Sequence, residues 1–449
     1  MPATRSTFAA GLLTLSLALA SCGGGTGGNT PTQPDPGTTD RGGLSVSLVG
    51  SLPGRLSHVW VTVTGVALHT DANQAYAEHD STWVRLQPTM PVTVDLVALG
   101  TAGGSVSLLS GLGIATGHYA QLRLLLAPSD GTLLPVAGSA GLSHNNEVER
   151  VLPDGSTQRL PLETTGTGPS LAVTSGATDI ATDTATNLAV QLGAEEAVTW
   201  LNASATDGSM RFLLAGQPRA YDLASTGAIA GLVDMANVCG STGAPPAGSC
   251  ISKLEAHVLA PSADGSHLEW VRSVAVGATG AIGLYPLPPL AEVEVLVQGQ
   301  NMRPLLLRKV AVDVAPLTAA LLALIGDQTH PLPLSLATAA HTVQLASAAP
   351  ADVPAMRAVQ TLPGDRPRQR AAGWLDPSTG TWPVAQYWVD SDWDSITWDS
   401  GLSQVVTLAT PQEGAGGGRL LLPASGSTAA QLGPMESAAA RVWRLPAAP

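Results

Sequence analysis

Apolar and polar side chains alternate along much of this chain from Leu44 onward. LSVSLVG sets Leu44, Val46 and Leu48 against Ser45 and Ser47, SLPG turns the chain, and HVWVTVTGVALHT alternates again through Val59, Val61 and Val63. Val66 and Leu68 continue the series after Gly65. Period two with β-branched residues predicts half-buried strands, and the glycine inside one predicts a bulge or bend. Further strands are expected at STWVRL, MPVTVDLVAL and HYAQLRLLLA, with TAGGSVSLLSGLGIATG supplying turns between them. Similar stretches recur later, at MRFLLAGQPRAYDL, GAIAGLVD, KLEAHVLAP, WVRSVAVGATGAIGLYPLPPL and VEVLVQG. The chain therefore reads as all-β.

The start follows another pattern. Arg5 precedes an apolar run from Phe8 to Ala20 broken only by Gly, Ser and Thr. That is the layout of a secretory signal peptide over residues 1–21, too short to span a bilayer as an anchor. It ends in Leu19-Ala20-Ser21-Cys22, which resembles the bacterial lipoprotein signal motif. The resemblance implies that Cys22 is acylated with palmitate-type chains, becomes the new N-terminus and ties the chain to a lipid bilayer. The alternative is an ordinary cleaved signal beside an unmodified cysteine. Gly23 rather than Asp after Cys22 implies, by resemblance to Gram-negative lipoproteins, delivery to the outer membrane, facing the periplasm or the surface. Residues 23–43 hold no large apolar side chain, so residues 22–43 read as a lipidated Cys on a disordered Gly/Thr/Pro tether. Such a coil has a root-mean-square span of roughly 25 Å. Val314 to Ile325 is apolar but far short of membrane length, and is expected in a core.

Composition narrows the partners. Charged residues make up 12% of 449, Lys253 and Lys309 are the sole lysines, and the formal charge is −13. Phosphate neutralisation needs clustered Lys and Arg, so nucleic acid is excluded as a partner, as is docking on anionic lipid through a basic patch. With Cys22 lipidated, Cys239 and Cys250 remain, bracketing a Gly/Pro/Ser loop. In an oxidising compartment these two are expected to form a disulfide, since no further ligands flank them for a metal.

LSVSLVGSLPG, VWVTVTGVALHT, TWVRL, VTVDLVAL and ATGHYAQLRLLL, in that order, resemble an N-terminal β-sandwich of unknown function found in many bacterial lipoproteins. The match covers roughly residues 44–127 and weakens through LPDGSTQRLPL to the strand near 210–223; the family carries no catalytic motif to transfer. Residues 128–209 depart most, with TTGTGPSLAVTSGATDIATDTAT reading as a Thr/Gly-rich insertion. The stretch 227–326 resembles a carboxypeptidase regulatory-like, or transthyretin-like, β-sandwich through its Thr279-Gly280 turn and Leu287-Pro288. PSTGTWPVA mirrors GATGAIGLYPLP, so 330–449 reads as a third, related β domain. The expected architecture is tandem antiparallel β-sandwiches (Ig-like or transthyretin-like) after a lipoprotein signal and tether, with sandwiches at 44–223 and 227–326.

Catalytic spacings are absent: there is no G-x-S-x-G, H-E-x-x-H or P-loop. Trp374, Trp382, Trp388, Trp393 and Trp398 crowd into residues 374–400 with Asp390, Asp392, Asp394 and Asp399. Three readings stay open there. The tryptophans face a core while Asp and Ser face water; the indoles stack on sugar rings with Asp accepting hydroxyl hydrogen bonds; or Asp390, Asp392 and Asp394 hold calcium, in a chain otherwise expected to need no cofactor. The EF-hand pattern fails, because Ser395 stands at the glycine position and Gly401 at the acidic one. His69, Asp71, Glu78, His79 and Asp80 read as a polar hairpin loop or a zinc set. Arg366, Arg368 and Arg370 read as a solvated loop or an anion contact. The expected function is a non-enzymatic, lipid-anchored envelope protein that scaffolds or binds an unknown protein or glycan. The alternative is a carbohydrate-binding or glycan-processing lipoprotein using residues 374–400.

Overall fold

The computed structural model describes residues 40–336, except 52–55, 153, 165–168, 175, 194–197, 202–210, 215–217, 263–264, 266, 289, 291 and 313–322. It also describes short segments, nearly all strands, between 343 and 444. Cys22, Trp374, Trp388, Trp393, Asp390 and Asp392 lie outside the described residues.

The first unit runs through β1 (Arg41–Ser51), β2 (Leu56–His69), β3 (Val84–Leu86), β4 (Val92–Asp95) and helix α1 (Leu96–Ala102). It continues with β5 (Ser105–Ala115), β6 (Gly117–Tyr119), β7 (Gln121–Leu126), a helical turn α2 (Pro135–Ser139), β8 (Glu147–Val151) and β9 (Thr157–Thr164). It closes with β10 (Ser170–Val173), β11 (Thr178–Ile180), β12 (Ala185–Gly193), β13 (Val198–Leu201), β14 (Arg211–Leu214) and β15 (Arg219–Asp222). One sheet has the order β15-β12-β1-β5. The other runs β10-β7-β2-β8-β9-β14-β13, with β3 and β4 on the far edge of β2. The alternation read from sequence does its work here: Leu44, Val46 and Leu48 from β1 and Val59, Val61 and Val63 from β2 are buried in one shared core.

Three local expectations change. VTVDLVAL is not one strand, because the Asp95 side chain accepts the Val97 amide at 3.0 Å and starts α1. An N-cap of this kind satisfies a donor that a continuing strand would have spent on its ladder. SVSLLSGLGIA, expected as turns, is strand β5, antiparallel to β1, with Leu108, Leu109 and Ile114 buried. The supposed Thr/Gly-rich insertion holds β10 and β11 and runs into β12, which pairs in parallel with β1 from Gly43↔Ala185 to Ser51↔Gly193 and buries Leu188, Val190 and Leu192. Weak alternation hid a central strand.

The second unit holds β16 (Gly227–Leu232), β17 (Ser252–Pro261), β18 (Leu268–Ala275), β19 (Ala281–Leu287), β20 (Glu292–Gln300), β21 (Leu305–Ala311) and β22 (Ala323–Ile325). A small sheet β19-β16-β22 packs on β21-β20-β17-β18 around Ile229, Val258, Leu284, Val295 and Leu307. The chain is thus nearly all β, in several sheets consistent with tandem sandwiches. The Thr279-Gly280 turn sits at the start of β19, where Gly280 has φ +85° and an added Cβ would lie 2.6 Å from the Val233 carbonyl. Only glycine fits there. Cys239 and Cys250 are joined as a disulfide, with Cα atoms 5.1 Å apart. The larger sheet continues on both edges: Pro367–Gly373 runs parallel to β18, and Asp394–Asp399 runs parallel to β21.

Candidate functional site

Charged and aromatic side chains meet on the outer face of β2, β4, β8 and β9. Period two turns His58 and Trp60 outward as Val59 and Val61 turn into the core. Strand register does the rest. His58 stands opposite Glu149 on β8, Glu149 stands opposite Arg159 on β9, and Trp60 stands opposite Asp95 on β4.

These side chains are knitted together. His58 Nδ1 lies 2.5 Å from Asp95 Oδ2, while Asp95 Oδ1 accepts the Val97 and Val59 amides at 3.0 and 3.3 Å. The residue that caps α1 therefore also orients the imidazole. The other ring nitrogen, Nε2, lies 3.9 Å from Glu149 Oε1, so the imidazole sits between two carboxylates. Arg159 Nε donates to Glu149 Oε2 at 2.8 Å, and Ser57 Oγ lies 3.2 Å from Oε1. The hydrogen bond from Arg159, the largest cause, holds the Glu149 carboxyl below the usual carboxylate range. His58 stacks on Trp60 at 4.6 Å and 11°, and the Arg159 guanidinium carbon lies 4.7 Å from the indole centroid. Beside them Glu147, opposite Trp60, is buried and takes the Ser143 and His144 amides at 2.5 and 2.7 Å.

His58 and Arg159 keep 41% and 47% of their side chains exposed, against 15% for Asp95 and 12% for Glu149. What reaches solvent is an imidazole, a guanidinium and part of an indole, on a floor of two mostly covered carboxylates. Such a face can hydrogen-bond and stack a polar planar or polyhydroxylated ligand. Asp95 engages His58 Nδ1, while Ser57 Oγ donates to the Glu149 carbonyl at 2.9 Å.

The residues singled out from sequence fall elsewhere. His69 is buried, with its ring nitrogens engaged by the Asp71 backbone and Thr82 Oγ1. Asp71 and Asp80 spend carboxylate oxygens on turn amides of Asn73 and Thr82, and Glu78 and His79 point to solvent. Trp83 and Tyr76 pack edge to face and anchor this loop. Among the described residues no three His, Cys, Asp or Glu side chains group to hold a metal ion. Arg368 corrects the solvated-loop expectation: it is fully buried and forks onto Glu294, whose other partner is Arg308. Burial of its charge is tolerable because a bidentate carboxylate meets it. Arg366 is exposed. Trp382 lies in the strand Thr381–Pro383, and Trp398 and Asp394 in the strand Asp394–Asp399.

Sequence reasoning passed over His58, Trp60, Asp95, Glu149 and Arg159. The available signal was the outward phase of HVWVT, which places two rings side by side on one face.

Residues 41–207 match a domain family of unknown function, DUF4382. The folded sandwich reaches past that match, since β14 pairs with β9 and β15 with β12. All five residues of the charged face lie inside the DUF4382 region. No curated protein matches the chain. Among solved structures, the chain is similar to the Bacillus anthracis TIE protein at 8% identity and a TM-score of 0.14, covering 90% of this chain and 50% of that one. It is also similar to a streptococcal ancillary pilin at 10% identity and a TM-score of 0.15, covering 90% of this chain and 98% of the pilin. The chain thus spans about half the length of the TIE protein.

Proposed function

We propose that this chain is a non-enzymatic, lipid-anchored protein of the bacterial cell envelope whose β unit serves as a scaffold or binding module. The observation that carries the reading is Leu19-Ala20-Ser21-Cys22 at the end of an apolar signal, followed by the tether up to residue 43. Several acyl chains on Cys22 hold a protein on a bilayer stably, where one alone is marginal. The Cys239–Cys250 disulfide supports export to an oxidising space. Gly23 favours the outer membrane. The second sandwich, with its Thr279-Gly280 turn, is taken as a transthyretin-like spacer or binding module. Labelling cells with a clickable palmitate analogue tests the anchor: wild type takes up label and partitions with membranes, and Cys22→Ala does not. Equal labelling of both overturns it.

A second reading, glycan binding, is favoured by the five tryptophans and five aspartates of residues 374–400. Its test is a glycan array probed with and without calcium, compared with Trp382→Ala and Trp398→Ala. Unchanged signal in both variants removes those two rings from recognition.

A further inference from the structure

Strand β18 of the second sandwich crosses one end of the β15-β12-β1-β5 sheet and meets three consecutive strands in order. Glu269 accepts a hydrogen bond from Arg219 of β15 at 3.0 Å. Two residues on, the Val271 carbonyl accepts Gln191 Nε2 of β12 at 3.0 Å. The next residue, Arg272, donates through Nη1 to the Gly50 carbonyl of β1. Gln191 and Arg272 are both buried, and α1 packs beside β18 at the same place.

Arg272 is an odd residue to bury. Its charge is perturbed chiefly by burial, with no carboxylate acting on it, and its Nε has no hydrogen-bond partner among the described residues. A buried cation without an ion partner adds little stability; what it supplies is a directional bond that only one docking geometry satisfies. The connection itself, residues 223–226, is a hydrogen-bonded turn, and what governs relative motion of two such units is the interface between them. We propose that β18 is a latch that fixes the second sandwich on the DUF4382 sandwich in one orientation, so that the two move as one body. The charged face on β2, β8 and β9 is then held at a constant distance from the second unit. The latch is independent of the anchor and of any ligand.

Paired spin labels test it. The full chain carrying Cys22→Ser, with Cys239–Cys250 oxidised, is labelled at Thr157→Cys and Ala281→Cys, both exposed positions, one on each sandwich. The expected result is a single narrow distance distribution that at least doubles in width in Gln191→Ala/Arg272→Ala while circular dichroism keeps its strand signal. A broad distribution with the latch intact, or an unchanged width in the folded double variant, overturns the proposal. Should the double variant lose its strand signal, Arg219→Gln/Glu269→Gln on the rim of the interface must show the same broadening, and a width that stays narrow there overturns it.

Discussion

Gly50 of β1 lies so close to Gly100 of α1 that a methyl group on Gly50 would sit 2.4 Å from the Gly100 nitrogen. The Leu96 carbonyl would be 2.9 Å away. Both obstacles are backbone, so neither can rotate aside. Gly50→Ala is expected to push α1 off β1 and cost about 1–3 kcal/mol, the usual range for overpacking. Gly43→Ala on the same strand is the control, since its methyl meets nothing nearer than 3.9 Å. Urea unfolding should show a lower midpoint for the first variant and none of that loss for the second.

Glu149 gives a pH dependence with a defined sign. Its folded carboxyl titrates below the ordinary 4.5, chiefly through the hydrogen bond from Arg159. The stabilisation it contributes is therefore complete above the unfolded value and disappears as pH falls through the folded one. Glu149→Gln should lose on the order of 1–2 kcal/mol at pH 7, as expected for a hydrogen bond to a charged group. The difference from wild type should shrink steadily below pH 4.5 and vanish in stronger acid. Thermal melts at matched ionic strength across that range measure it.

The expected strands at β1 and β2 were legible because buried Leu and Val alternate there with hydroxyl residues. β5 and β12 were not, because Ser, Gly, Ala and Asn occupy their outward positions and read locally as turn material; tertiary pairing on both sides of β1 makes them strands. The charged face was illegible for another reason. Asp95, Glu149 and Arg159 lie 37, 91 and 101 residues from His58, and nothing but sheet register brings them together. The disulfide needed no register: two cysteines eleven positions apart, bracketing a Gly/Pro/Ser loop with no metal ligands beside them, leave few alternatives.

Asp95 serves α1 and His58 at once, and substitution can separate the duties. Asp95→Ala removes the N-cap and the partner of Nδ1, and should lower stability by about 1–2 kcal/mol. Asp95→Asn retains a capping oxygen but loses the charge beside the imidazole. It should keep at least half of that stability while changing the His58 ring-nitrogen signals as much as the alanine does. Chemical denaturation and nitrogen-detected NMR of the imidazoles report the two effects separately.

The disulfide loop allows a prediction about the unfolded chain. At its base Cys239 N donates to the Ile251 carbonyl and Ile251 N to the Asn237 carbonyl, each at 2.8 Å. Asn301 Nδ2 holds the Cys250 carbonyl at 3.1 Å, and Asn237 Nδ2 holds the Leu334 carbonyl at 2.9 Å. The native loop is thus secured without the bridge, whose contribution lies mainly in restricting the denatured ensemble. Cys239→Ser/Cys250→Ser should fold with the same strand content yet be less stable by up to about 3 kcal/mol, the chain-entropy value for a short loop. Circular dichroism at low temperature should be unchanged, and the urea midpoint should fall. A variant that loses its strand signal before any urea is added would mean that the bridge, rather than these hydrogen bonds, holds the base of the loop.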